Sequence, residues 1–553
     1  MPFLLVRAES FVALQLCECN TMPQTFWDFG VFCVKTFWDF GVYHYFCIQN
    51  QRYINMRKVN LFLRVTMCAV IALMAVSASG ETKIKSVAPT SLGIEPQQLT
   101  LLYDSLLTSD LTELHHLIVM VDGKIAGELH PAPFRAEDRH TLYSVSKTFT
   151  AVAVGLAVDD GLLSVDDPLT KFFPEYEEYI AGVTIDDVLT MRSGFKTNGG
   201  MRNSQTDWVS YYLSRPLAAT PGERYSYDSI ETYLLSAVVQ KVTGKNILDL
   251  LNERVFGPMG VSDVEWERCP KGVVTGGWGI YMSSHSQALF GQLLLNKGKW
   301  NGKQLVSEEW IDQMMTVHVV RDANDYGYQI WLCEYPGAWR ADGAFGQYII
   351  IVPQKNMVVV LNQCSRSKGW PERGYIWNTV VKNCLNCPIE AVPAQLEALA
   401  RYEADASLPL LQGKKDSSAK SKYDGKTFML PDNKLGWESI KFNFTDSCAN
   451  IEVTDAKGKV STIEMGYNEW HTSQLAGYPH YSISAKGRFS GITGPFYTGS
   501  CYAWNEDNTL SAKIHYINWI TSLKLDFTVL RDGKLHIDVS ENFTSKPFTI
   551  ISE

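Results

Sequence analysis

The decapeptide Thr141-Leu142-Tyr143-Ser144-Val145-Ser146-Lys147-Thr148-Phe149-Thr150 decides how this chain is read. It sets a serine three residues ahead of a lysine where an apolar run begins. That run, Phe149, Ala151, Val152, Ala153, Val154, Gly155, Leu156, Ala157 and Val158, stops at Asp159-Asp160-Gly161. It predicts a buried central helix that starts near Ser144 and ends at the Asp-Asp-Gly. Helical residues three apart share a face about one turn apart, so the lysine nitrogen can reach the serine hydroxyl. A serine hydroxyl is a poor nucleophile until a base takes its proton, and a lysine held neutral by its surroundings can be that base. Ser144 also offers a developing oxyanion its own backbone N–H and the positive end of the helix dipole.

Spacing alone carries little weight. Ser193 with Lys196, Ser365 with Lys368 and Ser417 with Lys420 repeat it. They fall after a helix end, beyond a strand and in a Lys/Ser-rich stretch, with no apolar helix behind them.

The chain of 553 residues has room for two or three domains. Its 46% hydrophobic and 20% charged residues are globular values. A net charge of −9 leaves no basic stripe for a nucleic acid, which is excluded as a partner. Cys17, Cys19, Cys33, Cys47 and Cys68 lie near the N-terminus, and the other seven cysteines follow no disulfide rhythm. Cys384-x-x-Cys387 has no second pair at zinc spacing and is read as structural. There is no H-E-x-x-H and no calcium loop, so neither a metal nor another cofactor is expected.

Residues 1–55 are unlike a folded domain, and Thr-Phe-Trp-Asp-Phe-Gly-Val occurs twice there, from Thr25 and from Thr36. Met56-Arg57-Lys58, an apolar stretch from Leu61 to Val76 and Ser77-Ala78-Ser79-Gly80 have the form of a secretory signal peptide. The expectation is a non-native extension over 1–55, a leader over 56–80, a periplasmic or secreted product, and no membrane span after cleavage. Over 81–402 an α/β layered domain is expected. Strand hairpins at 117–128 and 348–361 bracket a helical region and form one antiparallel sheet flanked by helices. Residues 403–422 have linker composition. From 423 to 553 hydrophobic residues alternate, as in Leu523, Leu525, Phe527 and Val529, which predicts an all-β domain. Its aromatics Trp470, Tyr478, Phe496, Tyr497, Trp504, Tyr516 and Trp519 are read mainly as cross-strand core residues, with a binding surface as the alternative.

Two further stretches complete a site. Pro221-Gly222-Glu223-Arg224-Tyr225-Ser226-Tyr227-Asp228-Ser229 puts a tyrosine on a loop before a helix, where it can relay protons. Trp339-Arg340-Ala341-Asp342-Gly343-Ala344-Phe345-Gly346-Gln347 precedes a strong strand, and its small residues let backbone N–H groups approach a substrate.

Taken in order with Met191-Arg192-Ser193-Gly194, Gly276-Gly277-Trp278-Gly279 and Asp325-Tyr326-Gly327-Tyr328-Gln329-Ile330-Trp331, these stretches resemble the serine β-lactamase-like family. That family embraces class C β-lactamases, D-alanyl-D-alanine carboxypeptidases, related esterases and 6-aminohexanoate-dimer hydrolases. The resemblance implies Ser144 as acylated nucleophile, Lys147 as its base partner and Tyr227 as proton relay. Tyr227-Asp228-Ser229 resembles the Tyr-x-Ser of the esterase and oligomer-hydrolase branch, which makes Ser229 a substrate-binding candidate. Lys-Thr-Gly is missing; Asp342, Gly343, Ala344 and Phe345 stand near its place as substrate-binding candidates, with the second oxyanion N–H on Ala344 or Phe345. The function so implied is hydrolysis of a small-molecule or peptide ester or amide through an acyl-serine. A D,D-peptidase or β-lactamase, or an inactive binding or sensory module, are the alternatives. Asp342 in place of a cation is expected to disfavour substrates with a free carboxylate, unless Arg340 pairs with it.

Overall fold

A computed structural model describes residues 82–196, 206–322, 324–367, 369–479 and 490–553, with the strand backbones Phe32–Lys35 and Tyr45–Ile48. Those two strands pair antiparallel within a unit spanning Met1–Ser79, and Gly80–Glu553 is a second compact unit. The expected leader over 56–80, and the rest of the extension over 1–55, lie outside the described residues.

A six-stranded antiparallel sheet organises the first part of the larger unit. Its strands are β1 (Thr112–Val121), β2 (Lys124–Leu129), β3 (Trp331–Leu332), β4 (Trp339–Gly343), β5 (Gln347–Val352) and β6 (Met357–Ser365). The spatial order is β3-β4-β5-β6-β1-β2, so the two predicted hairpins meet where β6 pairs with β1. Asp122 and Gly123, at φ 51° and 70°, make the tight turn between β1 and β2 that the right-handed strand twist favours. Alternation then divides the core. Ile118, Met120, Ile349, Ile351, Val358 and Val360 join one cluster, and Val119, Val121, Ile350, Val352, Val359 and Leu361 another.

The helices that cover these faces are α1 (Pro96–Leu107), α2 (Ser146–Asp159), α3 (Ser229–Thr243), α4 (Ser284–Leu295), α5 (Glu308–Met314) and α6 (Pro393–Asp405). The clusters assign α2 through α5 to the first face and α1 and α6 to the second. Every residue of α2 from Ser146 to Ala157 is buried, as the all-round apolar run requires. Gly155 is the closest point of its packing: a Cβ there would lie 2.1 Å from Trp310 on α5, whose indole N–H donates to Ala151 O at 3.0 Å. The α2 boundary matches the sequence reading except at its start. Tyr143–Val145 is a 3-10 turn, so Ser144 sits on the lead-in rather than in the α-helix.

Ten strands, from Thr427–Met429 to Phe548–Ile551, form the C-terminal sheet. Neighbours are antiparallel except Val460–Tyr467 beside Tyr497–Trp504. Phe442, Trp504, Ile514, Leu525, Phe527 and Ile537 fill its core. Phe496, Trp504, Tyr516 and Trp519 are buried, as expected of core aromatics, whereas Tyr478 is exposed. The core is not confined to this sheet: Tyr143, Tyr281 and Cys364 belong to the same cluster.

A seam of buried histidines and carboxylates runs along β1 and β2 and meets the C-terminal sheet at Lys513 and His515. His115 Nδ1 lies 2.9 Å from His140 Nε2, and His116 Nδ1 lies 2.9 Å from His130 Nδ1. Glu128 takes His130 at 2.8 Å and His285 at 3.1 Å. Glu113 faces His115, His515 and Lys513 and accepts from Ser522 and Asn542. Burial pushes His115, His116, His140 and His515 below the ordinary imidazole value. Burial opposes ionisation of Glu113, but His515, His115 and Lys513 outweigh it and hold the carboxyl well below its usual range. Glu128 is likewise held down, at about 2, because its histidine partners outweigh burial.

Candidate active site

The nucleophile turn is built from both sides. His140–Thr141 pairs with Ile280–Met282, and the Leu142 N–H donates to Ile280 O at 3.0 Å. Tyr143 then takes a left-handed backbone, φ 48°. The Ser146 hydroxyl donates to Tyr143 O at 2.6 Å and accepts from the Ile280 N–H at 3.2 Å, closing the turn. Ser144 emerges half-buried at the head of α2.

Lys147 is buried, 2% exposed, and its Nζ meets three oxygens. They are Ser144 Oγ at 3.0 Å, Ser229 Oγ at 2.9 Å and Gly277 O at 2.6 Å. The ring of Tyr227 stands 4.8 Å from the same nitrogen. Four of the sequence candidates are therefore brought together around one atom. Ser229 opens α3 behind the cap residue Asp228, whose carboxylate accepts from the Ile230 N–H at 2.9 Å and from the Tyr212 hydroxyl at 2.9 Å. Tyr227 leans on Trp331, ring centroids 5.6 Å apart.

The chemistry of this arrangement follows from counting hydrogen-bonding capacity. A neutral amine has two N–H donors and one lone pair. The Gly277 carbonyl can only accept, and Ser229 Oγ can accept, so the lone pair is left for the Ser144 O–H. The geometry suits proton removal from Ser144. Gly277 was present in the sequence as part of a motif stretch, without a role. Its carbonyl is the group that sequence reasoning missed, and a Cβ at Gly277 would lie 2.2 Å from Ser229 O. Gln329 was missed as well. It accepts from the Thr148 hydroxyl at 2.8 Å on α2 and from the Thr232 hydroxyl at 2.6 Å on α3, tying the two helices together.

Around the third stretch the structure separates the candidates. Gly343 abuts the nucleophile turn, where a Cβ would meet Leu142 O at 2.3 Å. Ala344 is exposed and Phe345, at φ 64°, packs on Tyr143 with centroids 5.4 Å apart. No protein acceptor engages the N–H of Ala344 or Phe345 among the described residues. Asp342 is different. Trp339 and Ala341 join the core of α2, while the cross-strand partners of Arg340 and Asp342, Ile350 and Tyr348, lie in the cluster on the opposite face. Strand alternation thus directs Asp342 away from α2. Its carboxylate takes the Arg340 Nε–H at 2.8 Å, and Arg340 also donates to Leu332 O and Asn324 Oδ1 at 2.8 Å each. Burial raises the Asp342 carboxyl, and Arg340 opposes it. The expected repulsion of a substrate carboxylate, about 4 kcal/mol for an unpaired charge at close range, is offset by this pairing.

The Beta-lactamase family matches residues 115–375. The 6-aminohexanoate-dimer hydrolase of Paenarthrobacter ureafaciens is 22% identical over 291 residues, 46% of this chain and 72% of that protein. Esterase EstB of Burkholderia gladioli is 29% identical over 154 residues, 24% of this chain and 39% of that protein. Among solved structures, the putative 6-aminohexanoate-dimer hydrolase from Bacillus anthracis aligns with a TM-score of 0.47 at 17% identity, covering 55% of this chain and 87% of that one. No helix among the described residues is long and apolar enough to cross a membrane. Residues 115–375, which hold Ser144, Lys147, Tyr227 and the third stretch, are the part of the chain that the Beta-lactamase family matches, and the likeness is to the serine β-lactamase-like family.

Proposed function

We propose that this protein is a serine hydrolase that cleaves an ester or amide through an acyl intermediate on Ser144. The observation that carries the reading is the position of Lys147 Nζ, 3.0 Å from Ser144 Oγ and 2.9 Å from Ser229 Oγ. In the first step Ser144 Oγ attacks the substrate carbonyl carbon and its proton passes to the Lys147 amine. The carbonyl oxygen becomes an oxyanion before the N–H of Ser144 and the N–H of Ala344 or Phe345. The tetrahedral intermediate then collapses: the bond to the leaving alcohol or amine breaks, and that group takes a proton delivered through Tyr227 or Ser229. A water molecule next attacks the acyl carbon and gives its proton to the same relay; the bond between that carbon and Ser144 Oγ breaks, the relay returns the proton to Oγ, and the acid is released. With a leader over 56–80, the reaction would take place outside the cytoplasm.

Tyr227, whose ring stands beside Lys147, belongs to a wall of rings with Trp331, Tyr326 and Tyr225, centroids 4.6–6.5 Å apart. This wall suits an apolar or aromatic substituent next to the scissile bond. The test is labelling with a fluorophosphonate followed by intact mass, in wild type and in Ser144→Ala. One adduct on the wild type and none on the variant is expected; equal labelling of both would remove Ser144 from the reaction.

A further inference from the structure

Two residues at the proposed oxyanion donors have backbones that side chains rarely adopt: Tyr143 at φ 48°, just before Ser144, and Phe345 at φ 64° in the third stretch. Left-handed residues of this kind are costly and persist only where their surroundings over-determine them. The start of α2 and the first sheet supply part of those surroundings, through the Ser146 hydroxyl on Tyr143 O and the Ser365 N–H on Phe345 O at 2.8 Å; the rest comes from the C-terminal sheet, more than 170 residues further along the chain than Phe345. Trp519 is fully buried against Tyr143, centroids 6.3 Å apart, and against Tyr281 at 5.2 Å. Phe345 bridges Tyr143 at 5.4 Å and Phe543 at 6.2 Å. The backbone is gripped too. The Thr141 N–H donates to Asn518 O at 3.2 Å, and the Asn518 side-chain amide donates to Arg139 O at 2.9 Å, fixing the lead-in to the nucleophile. Asn518 is itself fixed, since its Oδ1 accepts from the Tyr497 N–H at 3.0 Å. Asn542, next to Phe543, donates to Ile520 O at 2.7 Å and Glu113 at 2.9 Å.

We propose that the C-terminal sheet is part of the catalytic unit, with Trp519, Asn518 and Phe543 as positioning residues that hold the strained peptides at Tyr143 and Phe345 and so aim the oxyanion donors. The inference rests on Ser144 being the nucleophile. It differs from ordinary core packing because the grip falls on left-handed residues next to the nucleophile and in the third stretch, Tyr143 and Phe345. Trp504, equally buried in the same sheet, packs instead on Tyr423 and Phe444.

The experiment uses the full chain with a neutral activated ester and the fluorophosphonate. Trp519→Ala is expected to lower kcat and the labelling rate by about 100-fold, the scale of a lost oxyanion donor or an ångström of misplacement, with KM changed by less than about threefold. Trp519→Phe should restore most of the rate. Trp504→Ala should lower the melting temperature while the folded protein keeps wild-type kcat. If Trp519→Ala does not give a cooperative melt, Phe543→Leu and Asn518→Ala carry the same expectation at about tenfold. A folded Trp519→Ala with kcat within threefold of wild type would overturn the proposal, and so would an equal loss of kcat in Trp504→Ala. Persistent turnover by Ser144→Ala would instead overturn the reading of the site, and this proposal with it.

Discussion

Ser144 and Ser229 both set a hydroxyl within 3.0 Å of Lys147, and the chain brings them there by different means. Ser229 is placed locally. Asp228 caps α3, the helix presents its first residue, and the neighbouring Tyr212 hydroxyl completes the cap. Ser144 is placed from a distance. Its turn carries a left-handed residue and rests on Ile280 from one part of the chain and on Asn518 and Trp519 from another. A locally built arm tolerates distant change and fails by losing its cap. An arm built from a distance depends on packing that its own neighbours in sequence do not supply.

The largest effects should come from the nucleophile arm itself. Ser144→Ala is expected to lower turnover by about four orders of magnitude or more with the melting temperature unchanged, checked by single-turnover assay and calorimetry. Lys147→Arg should be nearly as damaging, because arginine has no lone pair to offer. Full activity in that variant would make Lys147 a fixed charge rather than a base. Tyr227→Phe, on the other arm, should reduce kcat by about 10²–10⁴ with little change in KM, the range of a lost proton relay. Gly277→Ala strikes where the arms meet. Its Cβ would fall 2.2 Å from Ser229 O, so a loss of about 1–3 kcal/mol in stability is expected, together with a lower kcat. Denaturant titration and kinetics on the same sample would separate the two.

Acid should act on the distant support before it acts on the local one. The folded-state values of His115, His116, His140 and His515 lie below the unfolded value, so their contribution is present above about pH 6.5 and is lost as pH falls below it. Glu128, at about 2 in the folded protein, adds a loss below about pH 4.5. Melting temperatures taken from pH 7 to pH 4 should fall steadily; a flat profile would show that the histidine seam does not open on unfolding. The smallest effect is expected from Asp228→Ala, about 1–2 kcal/mol for the cap, read as a shift of a few degrees.

The same contrast explains what could be read from sequence. The hairpin through Asp122-Gly123, the all-round apolar α2 and the alternation of Leu523, Leu525, Phe527 and Val529 are periodic or local signals, and they stand in the structure as expected. Ser144, Lys147, Tyr227 and Ser229 are brought together around one nitrogen; the first two were legible as a helix start with its spacing, whereas the roles of Tyr227 and Ser229 were legible through the family resemblance. Asp342 could not be placed, because one residue of register on a strand exchanges the two faces of the sheet, and the pairing with Arg340 is visible only once that face is known. Gly277 O and Trp519 left no readable signal. A backbone carbonyl has no letter of its own, and a tryptophan in an alternating strand region looks the same whether it fills its own sheet or supports a turn nearly 400 residues away.

Gly155 carries a consequence for anyone who wishes to make this protein sturdier. Replacing a mid-helix glycine by alanine ordinarily gains about 1 kcal/mol, and an automated search for stabilising changes would choose this position early. Here the added methyl would enter the Trp310 indole. Because α2 is rigid, relief would come from sliding the whole rod, whose other end, about 14 Å away, carries Lys147 and the turn of Ser144. At this position a substitution chosen for thermal robustness would be felt first in the rate.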